Sequence, residues 1–570
     1  MFQKYLGNSI YIVIFLTILS GLMEGVGIGL LIPLLESLGN TESSLPIAES
    51  EGALNQITAF IINGLGISGS IASLLITVVV FFIMKAIFRF SALAYIGYLR
   101  GRLLFEIKTH IFSHFSSLEY VEYTKKNTGD MVNLLNVQTV RGLQAFHFCA
   151  AVVMSLVSSV IYFIVAALIS IEFGIMVVIG GGFIMLFMSL VNKSILSISR
   201  NYTREGGILA KMVIQTMTGF KYLIATDQIS SIKPKVSESI NKLASSTSRL
   251  SIASAFSSSL IEPVSVIFIV SIIFIQVNFF NLPIEPILIS LLLFYRGLSS
   301  VSSIQENYQN ALAHIGSIES IVENTRKKVS NKVENIEIKK KPIYKIDEGI
   351  RLENISYSYN RGSKKIIDNL SIEIPSKKII AIVGDSGSGK TTLVDLIIGI
   401  IKAEQGNIFV DDKNSKDFEN ISWRKMIGYV SQNEFIFNDT LANNISFWEG
   451  DWKKDKSLHD KIILALKRAD LYAAVESMPN GLDTVIGDRG AILSGGQKQR
   501  LFIAREIFKL PKLLIFDEAT SSLDYNSESI ISETIQKMSG SLTILIISHT
   551  LNIIKNADLI YVLKNGKVIE

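Results

Sequence analysis

Eight consecutive residues, Gly384-Asp385-Ser386-Gly387-Ser388-Gly389-Lys390-Thr391, satisfy the spacing G-x-x-x-x-G-K-[ST]. Glycines so placed let backbone N–H groups close around phosphate oxygens, and a helix opening there adds the positive end of its dipole. Lys390 is expected to reach β- and γ-phosphate oxygens and Thr391 to ligate Mg2+, with Thr392 following in the same first turn. The surroundings agree, because an apolar β-type run (379–383) precedes the loop and a helix-patterned run (392–401) follows it. A second buried-strand pattern, 513–516, ends in Asp517-Glu518. That places two carboxylates at the carboxyl edge of a parallel sheet, where ligands bind. Asp517 is expected in the Mg2+ shell and Glu518 to orient or deprotonate the attacking water, since phosphoryl transfer depends on positioning and charge stabilisation. One acid at a strand end is commonly structural; a pair downstream of a phosphate loop points to hydrolysis.

Between these elements lies Leu493-Ser494-Gly495-Gly496-Gln497, and here the chain resembles the ATP-binding-cassette (ABC) family. The resemblance implies that Tyr359 stacks on adenine, that Gln432 is the Q-loop glutamine serving both metal and catalysis, that Asp524 of Ser-Ser-Leu-Asp is the D-loop aspartate, and that His549 is the switch histidine. From the residues alone, His549 follows a strand pattern (544–547) and is placed to meet a γ-phosphate. In this family Ser494, Gly495, Gly496 and Gln497 of one subunit would face the phosphate loop of another, enclosing two ATP molecules. One cassette per chain therefore requires a partner. The intact Glu518, His549 and LSGGQ favour a second copy of the same chain. Residues 484–490, TVIGDRG, look like the exporter-type segment T-E-V-G-E-R-G, with Val485 and Asp488 departing from it.

The elements that must carry this site divide sharply. A hydrophobic share of 49% over 570 residues is too apolar for an ordinary soluble protein. Six stretches long enough to cross a bilayer can be drawn, at 9–35, 71–98, 146–170, 172–193, 257–280 and 284–305. The first is read as a retained helix, because it is long and contains Glu24 and Pro33. Lys and Arg are absent from 36–70 and abundant after spans two and four, which predicts a cytoplasmic side for those basic segments and for both termini. The basic segments are helix-patterned, so the membrane helices should continue into the cytosol and turn at 122–130 and 218–233. The first turn resembles the exporter coupling region, although Leu134 and Gln138 stand where Arg and Asp are usual. Residues 54–65 suit either a helix at the membrane surface or an ordered loop.

The expected fold is thus multidomain: an all-α six-helix transmembrane domain (1–323), a charged linker (324–349) and an α/β P-loop NTPase domain of the ABC type (350–570). The single cysteine, Cys149, excludes a disulfide framework and a cysteine zinc site. A net charge of +5 without clustering on a recognisable module argues against nucleic acid as a partner.

Inside the spans, Glu24, Lys85, Arg89, Glu262 and Arg296 are costly unless they face the bundle interior. They suit a basic cavity for an anionic group, or internal pairs such as Glu24 with Lys85 and Glu262 with Arg296. Phe294-Tyr295-Arg296 resembles lipid-linked oligosaccharide flippases of bacteria. The expected activity is ATP-driven export or flipping of an amphipathic or lipid-linked anion across a bacterial inner membrane. A peptide or drug exporter and a non-transporting ATP-dependent regulator are the other readings.

Overall fold

A computed structural model describes residues 5–31, 71–169, 171–279, 284–325, 341–359, 365–432, 435–487, 490–519, 525–548 and 550–570. The chain separates into two compact units, Met1–Leu118 with Glu122–Val329, and Glu119–Val121 with Ser330–Glu570. Residues 54–65, and 326–340 of the expected linker, lie outside the described residues.

The first unit is helical. Its long helices are α1 (Ser9–Gly29), α2 (Ile71–Ser116), α3 (Thr139–Ile169), α4 (Ile171–Thr218), α5 (Ile229–Phe279) and α6 (Ile284–Thr325). Ser9–Gly29, Ala72–Ser116 and Thr128–Val165 are long and apolar enough to cross a membrane among the described residues. The 46 residues of α2, at about 1.5 Å each, exceed twice the ~30 Å of a hydrocarbon core, so the helix must continue well beyond it. Both expected turns are present. After Ser116 the chain forms a short helix, Tyr120–Thr124. Asn127 then caps Thr128–Asn133 by accepting the Gly129 N–H at 2.9 Å. A π-helical stretch, Leu134–Gln138, feeds α3. The second turn breaks at Gly219, forms Phe220–Ala225, and restarts α5 after Asp227, whose φ of 53° is left-handed.

Close approach between α4 and α6 depends on Gly316. A Cβ there would lie 2.9 Å from both the Ser199 carbonyl oxygen and Thr203 Oγ1. Ser199 Oγ donates to the Ala313 carbonyl at 2.8 Å, and Arg200 grips Glu319 through two bonds of 2.8 and 2.7 Å, tying the same pair of helices.

In the second unit, β1 (Gly349–Tyr357), β2 (Ile367–Pro375), β4 (Gln405–Val410) and β5 (Lys413–Asn414) make an antiparallel sheet of order β2-β1-β4-β5. A six-stranded sheet of order β10-β9-β3-β8-β7-β6 combines β3 (Ile379–Val383), β6 (Ile427–Val430), β7 (Leu513–Asp517), β8 (Thr543–Ile547), β9 (Leu559–Lys564) and β10 (Lys567–Val568). Strands β6, β7, β8, β3 and β9 are parallel. Such strands are covered on both faces and read as continuous apolar runs. Accordingly Leu514, Phe516, Ile544 and Ile546 belong to one core, whereas Leu513, Ile515, Leu545 and Ile547 belong to the other. The helices that matter for the site are α7 (Lys390–Ile398), α8 (Leu441–Ser446), α9 (Lys456–Arg468), α10 (Gly495–Phe508) and α11 (Tyr525–Met538).

Candidate nucleotide site and membrane cavity

Strand order brings the phosphate loop to the two acids. Ile382 of β3 and Asp517 of β7 both register with Ile547 of β8. The loop and the acids therefore leave the same sheet edge two strands apart, roughly 10 Å by the usual strand spacing. Gly389 (φ 104°) caps α7 in a left-handed conformation, and a Cβ there would meet Ile367 Cδ1 at 2.8 Å and the Ile366 carbonyl at 3.0 Å. Only glycine fits. The resulting cavity, of about 600 Å³, is lined by Ser386, Gly387, Gly389, Lys390, Thr391, Thr392 and Glu518, with Lys365, Ile366 and Asn565 across from them. Lys390 is buried, and its ammonium donates to the Gly384 and Asp385 carbonyls at 2.9 and 3.0 Å while lying 3.9 Å from Glu518. This arrangement can receive a chain of phosphates on backbone N–H groups, one cation and a helix N-terminus.

At the end of β7, Asp517 is buried and accepts the Tyr429 hydroxyl on Oδ2 at 3.0 Å. Burial raises the Asp517 carboxyl above the ordinary aspartate range. Glu518 adopts a left-handed φ of 50°, a strained backbone for a non-glycine residue. Its N–H donates to the Ile547 carbonyl at 2.9 Å, and its carboxylate accepts Gln432 Nε2 at 3.2 Å. The hydroxyl of Thr391, the carboxylate of Asp517 and the amide oxygen of Gln432 are hard oxygen donors, the set that suits Mg2+. Asp395 of α7 was not singled out in the sequence. Burial and then the Asp517 charge push it up to about 6.

The signature segment opens α10. Ser494 Oγ accepts the Gln497 N–H at 3.3 Å while Gln497 Oε1 accepts the Ser494 N–H at 2.9 Å, a complete capping box. A Cβ on Gly496 would fall 2.5 Å from Ser527 Oγ. None of Ser494, Gly495, Gly496 and Gln497 lines the phosphate cavity of its own chain. The exporter-type segment is tied to the stretch following Gln432: Thr440 bridges Val485, Leu441 N–H donates to the Thr484 carbonyl, and Ile486 N–H to that of Asp439. Tyr359 is exposed at the end of β1 with its ring against Tyr357. Asp524 and His549 lie outside the described residues.

Within the helical unit, Glu24, Lys85, Arg89 and Arg296 line one cavity of about 380 Å³. Glu24 Oε1 is 2.6 Å from Lys85 Nζ and 3.4 Å from Arg296 Nη1. The expected Glu24–Lys85 pair is thus present and Arg296 shares its carboxylate, while the Glu262 side chain lies outside those described. Arg89 has no carboxylate within ion-pair distance among the described residues, so three cations face one anion. Sequence reasoning missed the hydroxyl lining, Ser155, Ser158, Tyr162, Ser299, Ser300 and Ser303. Helical spacing of serines was its only signal.

A phosphate-loop ATPase with a signature helix, joined to a bundle of membrane-type helices, defines an ATP-hydrolysing membrane transporter carrying both parts in one chain. The family model of the ABC transporter transmembrane region matches residues 10–297, and that described as ABC transporter matches 367–521. The chain belongs to the ABC transporter family. It is 28% identical to an ATP-dependent lipid A-core flippase of Mannheimia succiniciproducens over 506 residues, 87% of this chain and 84% of that protein. The lipid A-core flippase of Photorhabdus laumondii is 26% identical over 501 residues, 86% and 84% of the two chains. The fold matches a bacterial Atm1-family ABC exporter with ATP bound at a TM-score of 0.77, with 18% identity and coverage of 99% and 95%. ATP is accordingly the nucleotide, and its hydrolysis is coupled to transport across a membrane.

Proposed function

We propose that two copies of this chain act together in a bacterial inner membrane, with the ATPase units and both termini cytoplasmic, to flip or export an amphipathic, lipid-linked anion. In each copy Lys390 and the Gly384–Gly389 loop bind the ATP phosphates, Tyr359 stacks on adenine, and Thr391, Gln432 and Asp517 hold Mg2+. Glu518 orients the attacking water, held by Gln432 and assisted by His549. Ser494 to Gln497 and Asp524 complete the site of the other copy. Mg2+, when bound, neutralises charge developing on the transferred phosphoryl group.

The observation that carries the substrate class is the cluster around Glu24. One carboxylate is shared by Lys85 and Arg296 while Arg89 adds a further cation beside a hydroxyl-lined wall. An excess of positive charge within a helix bundle is favourable when a ligand supplies the compensating anion, and guanidinium holds phosphate through two parallel hydrogen bonds. The lipid A-core flippase relatives agree with a phosphorylated amphiphile.

The test is transport in proteoliposomes of a phosphorylated glycolipid, such as lipid A or a polyprenyl-pyrophosphate oligosaccharide. Arg296→Ala is expected to keep its fold and basal ATPase while transport falls about tenfold, with Arg296→Lys recovering only part. Wild-type transport by a stable Arg296→Ala protein would overturn the assignment.

A further inference from the structure

We infer that Tyr429 is a positioning residue for the metal-holding carboxylate: its hydroxyl fixes one oxygen of Asp517, and its own backbone is fixed by Glu506 of the signature helix. This rests on Asp517 being a metal ligand. Tyr429 of β6 registers with Ile515 of β7. Side chains two residues apart on a strand share a face, so the phenol runs along the sheet to the carboxylate of Asp517, where its hydroxyl donates at 3.0 Å. With Oδ2 so engaged, the carboxylate has a fixed rotation and its other oxygen is presented to a cation.

The other end of Tyr429 is held as firmly. Its N–H donates to Glu506 Oε2 at 3.1 Å, and Glu506 is buried with Lys509 at 2.8 Å. The adjacent Arg505, also buried, donates to the carbonyls of Phe435 and Asn444. Two neighbouring residues of α10 thus grip the chain before and after Gln432, whose amide reaches Glu518. The helix that begins with the signature is thereby bonded to the segment that sets the metal shell of the same chain. Tyr429 contacts both ends of that link, Glu506 through its N–H and Asp517 through its hydroxyl.

The experiment titrates Mn2+ against the full-length, ATP-loaded transporter in lipid nanodiscs, reading bound metal by water-proton relaxation, with ATP binding in EDTA as a parallel measurement. Tyr429→Phe removes only the hydroxyl. It is expected to weaken Mn2+ binding about tenfold or more, while ATP binding in EDTA stays within about twofold and reports an intact fold. Unchanged Mn2+ binding overturns the inference. So does a parallel loss of metal and of metal-free ATP binding, which would make Tyr429 a scaffold residue. Asp517→Asn separates the premise from the inference: if it leaves Mn2+ binding intact, Asp517 is not a ligand and the premise itself fails.

Discussion

At the scale of single residues, the site is a set of groups whose neighbours decide their chemistry. Glu518 sits on a left-handed backbone, bonded to Gln432 and 3.9 Å from Lys390. Glu518→Gln is expected to bind ATP normally and hydrolyse it at least about a hundred-fold more slowly, since the amide cannot polarise water; phosphate release and equilibrium ATP binding check it. Asp395 behaves differently. Its carboxyl is raised to about 6 by burial and by Asp517, against an ordinary value of 3.8. The folded state therefore favours its protonated form, and this contribution to stability is lost as pH rises between about 4 and 6. Asp395→Asn, which mimics the protonated acid, is expected to raise the melting temperature at pH 8 in EDTA, the gain shrinking towards pH 4.5. A pH-independent gain would contradict that origin. Neither Asp395 nor Tyr429 was legible in the sequence, because their significance comes from strand order. Tyr429 and Asp517 are 88 residues apart and meet only because β6 lies beside β7. The phosphate loop, the acid pair and the signature were legible because each is a contiguous stretch whose local geometry sets its use.

At the scale of elements, glycine placement and caps decide which surfaces can meet. The long helices and the turns that join them near 122–130 and 218–233 were readable from apolar length and helical patterning. The register between helices was not: Glu24 and Arg296, 272 residues apart, share a contact that no periodicity foretells. Gly316 shows the same dependence in the packing of α4 on α6. Gly316→Val puts a branched side chain against the backbone of Ser199 and against Thr203, both 2.9 Å from the position of its Cβ. Overpacking of this kind costs about 1–3 kcal/mol. The variant is expected to melt several degrees lower in a thermal unfolding scan, while ATP binding by its separate ATPase unit is retained. Unchanged melting would mean that the two helices part there at no cost.

At the scale of the whole molecule, each chain carries one phosphate loop and one signature helix that does not line its own phosphate cavity. Ser494 and Gln497 satisfy one another in the capping box, so the signature is a rigid, finished helix N-terminus. Such a terminus is suited to an anion supplied from elsewhere, and in the proposed pair of copies that anion is the nucleotide held by the other phosphate loop. Heterodimers in which one copy carries Lys390→Ala and the other Ser494→Ala distinguish this from a site completed within each chain. If the signature serves the other copy, both lesions fall on a single site and the second site is intact. If it serves its own chain, both sites are broken. Purified through two different affinity tags, the heterodimer is expected to trap close to one nucleotide per dimer with vanadate, whereas each parental homodimer traps almost none. Trapping as low as in the homodimers would show that each chain completes its own site, and the requirement for a partner at the level of ATP hydrolysis would be lost.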